Sequence, residues 1–346
     1  MRTQKKGIVV SIVLVTYNRA ERLKLSIADI LHQTFTDFEL IICDDCSTDE
    51  TENVCRQFAA QDNRIRYYRH VSNMRMPENC NFGIKQAQFP YVAILHDGDR
   101  FRADLIEQWY KACSENESVG FVFNTIGVTD GNENLLASEI FDYGRFKEGV
   151  VKGEHLLHEV YFRDWRFASP VYGEVMVKKS LLEEKGFFKR RYGFYADVDF
   201  WMEVLQTHDA YFCANILITG PKKEIQPRLF DDNPIRYFIY MFYMHLYHRR
   251  KAFRKQPIRL IRELTVFWVQ AFLGFNFWLL AIVKNFSFMY FIELRRLLKW
   301  NFMFLASWVI VLVLYPLLYP FLKLYNLAKR VLGKEAEQRK LESSGA

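Results

Sequence analysis

Ile8–Thr16 reads Ile-Val-Val-Ser-Ile-Val-Leu-Val-Thr, almost unbroken in β-branched and apolar residues. A strand with one wet face alternates apolar and polar side chains. A continuous apolar run is a strand buried on both faces, as in a sheet with helices on either side. The neighbouring segments agree. After the turn Tyr17-Asn18-Arg19, residues Ala20–Gln33 place Leu23, Ile27, Ile30 and Leu31 on one helical face. Glu39–Cys43 is a second buried strand. Ser47–Ala60 is the next helix, with Ser47 or Thr48 as its N-cap. Ile65–Arg69, Pro77–Gln88 and Tyr91–Leu95 continue as strand, Pro-initiated helix and strand. Strand and helix alternating at this spacing predict an α/β fold with a largely parallel sheet. Further strands are expected at Phe121–Val128 and Met176–Val177, a long loop at Gly131–Gly153 and a helix at Ala196–Leu205.

Two acidic clusters close two of these strands. Asp44-Asp45-Cys46-Ser47-Thr48-Asp49 follows Leu40–Cys43, and His96-Asp97-Gly98-Asp99 follows Tyr91–Leu95. Both fall at the carboxyl edge of the sheet, where open α/β folds bind ligands. Carboxylates gathered there repel one another unless a cation joins them, most simply a divalent metal carrying a phosphorylated substrate.

Charge divides the chain of 346 residues. Residues 249–346 hold 17 Lys+Arg against 5 Asp+Glu, so a tail of net +12 follows a front of net −5 within the overall +7. The tail also contains two uncharged windows, Leu264–Val283 and Phe302–Leu322, each reaching the roughly 20 residues that span a bilayer. Lys284, Arg295, Arg296 and Lys299 lie between them. A spanning hairpin would put those four cations outside, so a re-entrant or in-plane helical pair is an equal alternative. The expected organisation is an α/β domain over 1–232, a basic aromatic helical linker over 233–263, membrane-associated helices over 264–330 and a polar tail over 331–346. The tail lacks a recognisable nucleic-acid module, so no nucleic-acid partner is expected. Six cysteines form no disulfide framework, and Cys43-Asp44-Asp45-Cys46 has no second pair or nearby His to complete a zinc site. Met1–Gly7 is too short to be a signal peptide, and a reducing cytosol is expected.

The segments Val10–Arg19 (VSIVLVTYNR), Gln33–Thr51 (QTFTDFELIICDDCSTDET) and His96–Asp99 (HDGD), with Gly186–Phe188 and Ala196–Trp201 (ADVDFW) later, resemble family 2 glycosyltransferases of the GT-A fold. The resemblance covers roughly 10–226. It implies a nucleotide-sugar site in which Thr16, Tyr17 and Asn18 line the donor pocket, Tyr17 packs on the base and Asp45 accepts a base N–H. Asp97 and Asp99 match the DxD pair, Asp97 toward ribose or sugar and Asp99 toward Mn²⁺ or Mg²⁺. Many relatives read D-x-D-D where this chain has His96 and Gly98, so the register of the pair is open by one residue. Asp197 matches the catalytic base of an inverting reaction, with Ala196 where a Glu is usual and Asp199 as a rival. Trp165-Arg166 and Gln226-Pro227-Arg228 are further candidates for the diphosphate, and His70 and His155 read as ordinary histidines.

Together these imply transfer of a sugar from a UDP- or dTDP-sugar to a hydroxyl of a lipid-linked saccharide at the cytoplasmic face of the cell membrane. Transfer to polyprenyl phosphate, as in relatives resembling dolichol-phosphate mannose synthase, is one alternative. A non-catalytic basic scaffold for membrane or nucleic acid is another.

Overall fold

A computed structural model describes residues 9–130, 134–136, 146–158, 174–221 and 234–267. The chain divides into two compact units, Met1–Trp278 and Leu279–Ala346, and the second lies wholly outside the described residues.

The first apolar run is β1 (Val10–Thr16), buried along its whole length. It runs parallel to β2 (Phe38–Asp44) on one side and to β4 (Tyr91–His96) on the other. β3 (Ile65–Arg69) extends the sheet beyond β2, again in parallel. Val10, Ile12 and Leu14 pack with Leu23, Ile27 and Ile30 of α1 (Ala20–Leu31), with Val54 of α2 (Thr51–Gln61), and with Leu105 and Trp109 of α4 (Leu105–Glu115). The opposite face meets α3 (Met76–Gln86), where Gly83 comes so close that an added Cβ would lie 2.5 Å from Val13 Cγ1. Each Val, Ile or Leu wholly buried in this way contributes about 1.5–3 kcal/mol. The double-faced burial read from the sequence is therefore what the helices supply.

Beyond β4 the sheet changes character. β8 (Val175–Lys178) runs antiparallel to β4 and to β6 (Val119–Thr129). β6 then pairs in parallel with β9 (Asp209–Pro221), which pairs antiparallel with β5 (Arg100–Phe101) and β7 (Gly149–Val151). The strand order β3-β2-β1-β4-β8-β6-β9-β5 reverses direction of travel between β1 and β4. Such a switch point opens a crevice at the carboxyl ends of the two strands.

Two expectations need correction. The second helix starts at Thr51, not Ser47, and no side chain caps it. Ser47 and Thr48 are claimed elsewhere: Asn18 N–H donates to Ser47 Oγ at 2.9 Å, and Thr48 N–H donates to Asn18 Oδ1 at 2.7 Å. The expected loop over Gly131–Gly153 ends instead in β7 and the start of the short α5 (Gly153–Leu156). Residues 131–133 and 137–145 lie outside the described residues.

The basic aromatic stretch is helical, as α8 (Pro234–Phe253) and, after a break, α9 (residues 257–267). α8 packs on α7 (Ala196–Val204) and the 3-10 turn Arg190–Tyr195 before it. Among the described residues no helix is long and apolar enough to cross a membrane. The windows Leu264–Val283 and Phe302–Leu322, with Lys284–Asn301 between them, lie beyond Phe267 for all but their first four residues and so outside the described residues.

Candidate active site

The crevice between β1 and β4 gathers most of the residues singled out in the sequence. Thr16 ends β1, and its hydroxyl donates to Asp97 Oδ2 at 2.6 Å. The backbone N–H of Tyr17 donates to the same oxygen at 3.3 Å. Tyr17 itself is 47% exposed, which leaves an aromatic ring on the rim. Asn18 follows in a left-handed conformation, φ 52°, and joins this loop to Ser47 and Thr48 of the other acidic cluster. Thr16, Tyr17, Asn18, Asp45 and Asp97 thus lie on adjoining segments at one sheet edge.

The carboxylates there have distinct environments. Asp44 is fully buried, accepting from Ser47 N–H at 2.8 Å and the Tyr67 hydroxyl at 2.8 Å. It is a brace for the turn. Asp45 accepts two backbone N–H groups, from Met74 at 2.6 Å and Arg75 at 2.9 Å, which fixes the loop before α3. Each oxygen keeps a further lone pair. Burial raises the pKa of Asp97, an effect opposed by the Arg19 guanidinium 3.4 Å away and by the hydrogen bonds from Thr16 and Tyr17, while neighbouring Asp99 adds to the rise.

Asp99 sits apart from that group. Its carboxylate packs against Gly220, where an added Cβ would be 2.3 Å from Oδ1. It clusters with His96 and Glu174, the three potential ligand atoms lying within 4.8 Å of one another. One imidazole with two carboxylates is a donor set suited to a divalent ion such as Mn²⁺. The tight turn helps make the cluster: Gly98 takes φ +89°, and Ser26 both accepts from its N–H at 3.1 Å and donates to Asp99 O at 2.9 Å. Glu174 carried no signal in the sequence, because only antiparallel pairing of β8 with β4 brings it to His96, whose N–H it accepts at 3.3 Å.

Asp197 opens α7, partly exposed, accepting from Val198 N–H at 2.8 Å. Burial pushes its pKa up to about 7, against the lowering effect of backbone hydrogen bonds. That is the range a general base at neutral pH requires. The rival Asp199 is committed elsewhere. It is buried and accepts from Lys189 Nζ at 2.8 Å, and its other oxygen is 2.9 Å from His248 Nε2. Those partners hold its pKa low despite burial. Sequence reasoning missed His248 because nothing about a histidine on a distant helix marks its partner. Asn81 of α3 bonds both the N–H and the C=O of Phe188, at 3.0 and 2.7 Å, and the Phe188 ring packs on Phe200 and Trp201 of α7.

Cys43 is buried, and desolvation raises its thiol to about 12, which fits a strand-end cysteine rather than a reactive pair; all six cysteines are free. His70 bonds Asn79 at 3.0 Å and His155 meets the ring of Phe146, so both are ordinary histidines. Trp165, Arg166, Gln226, Pro227 and Arg228 lie outside the described residues. A cavity of about 560 Å³, lined by Gln256, Pro257, Ile258, Arg259 and Arg262, includes none of the crevice residues.

Residues 11–168 match the model for glycosyl transferase family 2. The chain carries a family 2 glycosyltransferase domain. Its similarity to known proteins extends past that segment. It is 28% identical over 203 residues to a GalNAc(5)-diNAcBac-PP-undecaprenol beta-1,3-glucosyltransferase of Campylobacter jejuni, covering 58% of this chain and 61% of that one. The chain spans about three-fifths of the length of the first curated relatives it matches. Among solved structures, Staphylococcus aureus TarS residues 1–349 in complex with UDP-GlcNAc superposes with a TM-score of 0.55 at 16% identity, over 70% of this chain and 66% of that one. The mannosyltransferase PcManGT of Pyrobaculum calidifontis, in complex with GDP-Man and Mn²⁺, gives 0.50 at 16% identity, over 84% and 80%. At that identity the likeness is one of fold, a GT-A-like mixed sheet with flanking helices.

Proposed function

We propose that the protein is an inverting glycosyltransferase that moves a sugar from a nucleotide-sugar donor, a UDP-sugar by preference or a dTDP-sugar, to a hydroxyl of a lipid-linked saccharide. The observation that carries this reading is the placing of Asp197 in the first turn of α7, partly exposed and accepting from Val198 N–H, while Asp199 beside it is buried and bonded to Lys189 and His248. A hydroxyl acceptor must lose its proton as it attacks the anomeric carbon. A carboxylate whose pKa is raised toward neutrality by burial can take it. In that step the acceptor oxygen bonds to the anomeric carbon, the bond to the diphosphate breaks with its electron pair, and the proton goes to Asp197. An already ionised phosphate acceptor would need no such base.

The other roles belong to the same proposal. The exposed Tyr17 ring offers a stacking face for a base. Asp45 would accept a base N–H with its remaining lone pairs, and Thr16 and Asn18 would shape the wall. Asp97 meets ribose or sugar hydroxyls. Asp99, with His96 and Glu174, would hold a divalent ion, which when bound supplies positive charge to offset the diphosphate. Membrane attachment at the cytoplasmic face belongs to the same proposal. It is supported by the basic, aromatic tail, by Ile258 and Ile261 standing 85% and 67% exposed on α9, and by the exposed Arg254, Lys255 and Arg262 around them. The undecaprenol-linked acceptor in the name of the Campylobacter relative is of the same class.

The test uses the full chain, a panel of nucleotide sugars with Mn²⁺, and a lipid-linked acceptor pool. Turnover that falls by orders of magnitude in Asp197→Asn supports a hydroxyl acceptor. Near-full activity of that variant would transfer the case to a phosphate acceptor, and no donor use at all would sink the proposal.

A further inference from the structure

Asp97 is a buried carboxylate at the mouth of the crevice, and the cation nearest it is unusual. Arg19 follows directly on Tyr17 and Asn18, and its side chain is 53% exposed. One of its nitrogens, Nη1, reaches both Asp97 Oδ1 at 3.4 Å and Asp97 O at 3.3 Å. Both contacts are at the long end for a charge-assisted bond, whose usual length is about 2.7–2.9 Å. The guanidinium lies over Gly98, where an added Cβ would be 3.3 Å from Arg19 Nη1 and 3.3 Å from Arg22 Cδ. Gly98, in its left-handed turn, is thus the floor on which two arginine side chains rest. Other arginines of the glycosyltransferase domain are held differently. Arg64 makes three bonds to Asp62, the shortest 2.7 Å, and Arg100 bonds Asp29 at 2.7 and 3.0 Å.

We infer that Arg19 is the diphosphate-binding cation of this site, resting on Asp97 before the donor binds and transferring to the donor's diphosphate when the nucleotide sugar enters. The inference rests on the nucleotide-sugar reading and deepens it. The contact of Arg19 with Asp97 is long and half exposed, so it costs little to break. A diphosphate offers the same guanidinium short bidentate bonds. Once Arg19 turns to the ligand, Asp97 Oδ1 is released to accept from a ribose or sugar hydroxyl while Thr16 and Tyr17 keep Oδ2. One arginine therefore serves the site before and after the donor arrives. The Gly98 turn, which departs from the D-x-D-D pattern, leaves it the room to do so.

The experiment titrates the full-length protein with UDP and, separately, with uridine, both followed by ligand-observed NMR, in wild type, Arg19→Gln and Arg19→Lys. Arg19→Gln should weaken UDP by about ten- to a hundred-fold and leave uridine within about three-fold, and Arg19→Lys should recover part of the loss. Thermal melting should match wild type, since the side chain is half exposed. Equal loss for UDP and uridine, or none for either, overturns the inference and leaves nucleotide binding standing. Failure of the wild type to bind UDP, GDP or dTDP at all overturns both this inference and the reading beneath it.

Discussion

The crevice at the ends of β1 and β4 and the junction of α7 with α8 both bury carboxylates, and they treat them in opposite ways. In the crevice, Asp97 has a hydroxyl, one backbone N–H and a loosely held arginine, and its pKa rises. At the junction, Asp199 has a short bond to Lys189 and a buried His248, and its pKa falls. Asp197 and Asp199 show the same contrast two residues apart on one helix. A charge fully answered within the protein belongs to the architecture. A charge answered only in part is held ready for a ligand or a proton.

The sharpest way to break this contrast is to exchange the two aspartates' fates. Asp197→Asn should reduce kcat by about 10²–10⁴-fold with donor affinity nearly unchanged, measured by steady-state transfer. The wild-type rate should rise with pH through about 7, because only the ionised carboxylate accepts a proton. Stability should show the reverse sign. The folded pKa lies above that of the unfolded chain, so ionisation penalises the folded state progressively from about pH 4 to pH 7. Asp197→Asn should therefore gain stability over wild type across that interval, by on the order of 1–3 kcal/mol for a partly exposed group. Denaturant melts at pH 4 and pH 8 would show it.

Asp199→Ala should instead cost about 3–5 kcal/mol in urea unfolding, because it leaves Lys189 and His248 without their shared partner. With its pKa lowered in the fold, Asp199 stabilises at and above about pH 4, and that contribution is lost as pH falls further. A variant that kept full stability and lost turnover would invert the assignment. Tyr17→Ala should weaken nucleotide binding by about 1–3 kcal/mol in calorimetry, with no change in melting temperature. Gly98→Ala is the mildest change, costing about 1–2 kcal/mol for the left-handed backbone and crowding Arg19 and Arg22. Its effect should appear in diphosphate affinity more than in uridine affinity.

Much of the crevice was legible in the sequence because it is built from local continuity. A strand buried on both faces has a carboxyl end, and Thr16, Tyr17, Asp45 and Asp97 are simply the next residues along. Parallel pairing of β1 with β2 and β4 then brings those ends together. What escaped was set by distant partners. Glu174 reaches His96 only through β8, His248 reaches Asp199 across 49 residues, and Ser47 was lost as a helix cap because Asn18 claimed it. The DxD register was open for a similar reason. Asp97 and Asp99 are two residues apart, yet one turns to β1 and the other to His96 and Glu174.

If the crevice is the donor site, a nucleoside diphosphate sits in it with its base at Tyr17 and Asp45 and its diphosphate beside Arg19 and Asp97. The direct measurement is a crystal structure of the full chain soaked with UDP and Mn²⁺. Uracil is expected against the Tyr17 ring within hydrogen-bond distance of Asp45, with Arg19 turned from Asp97 to a phosphate oxygen. Nucleotide density elsewhere on the chain, or in the crevice with Arg19 still on Asp97, would contradict it.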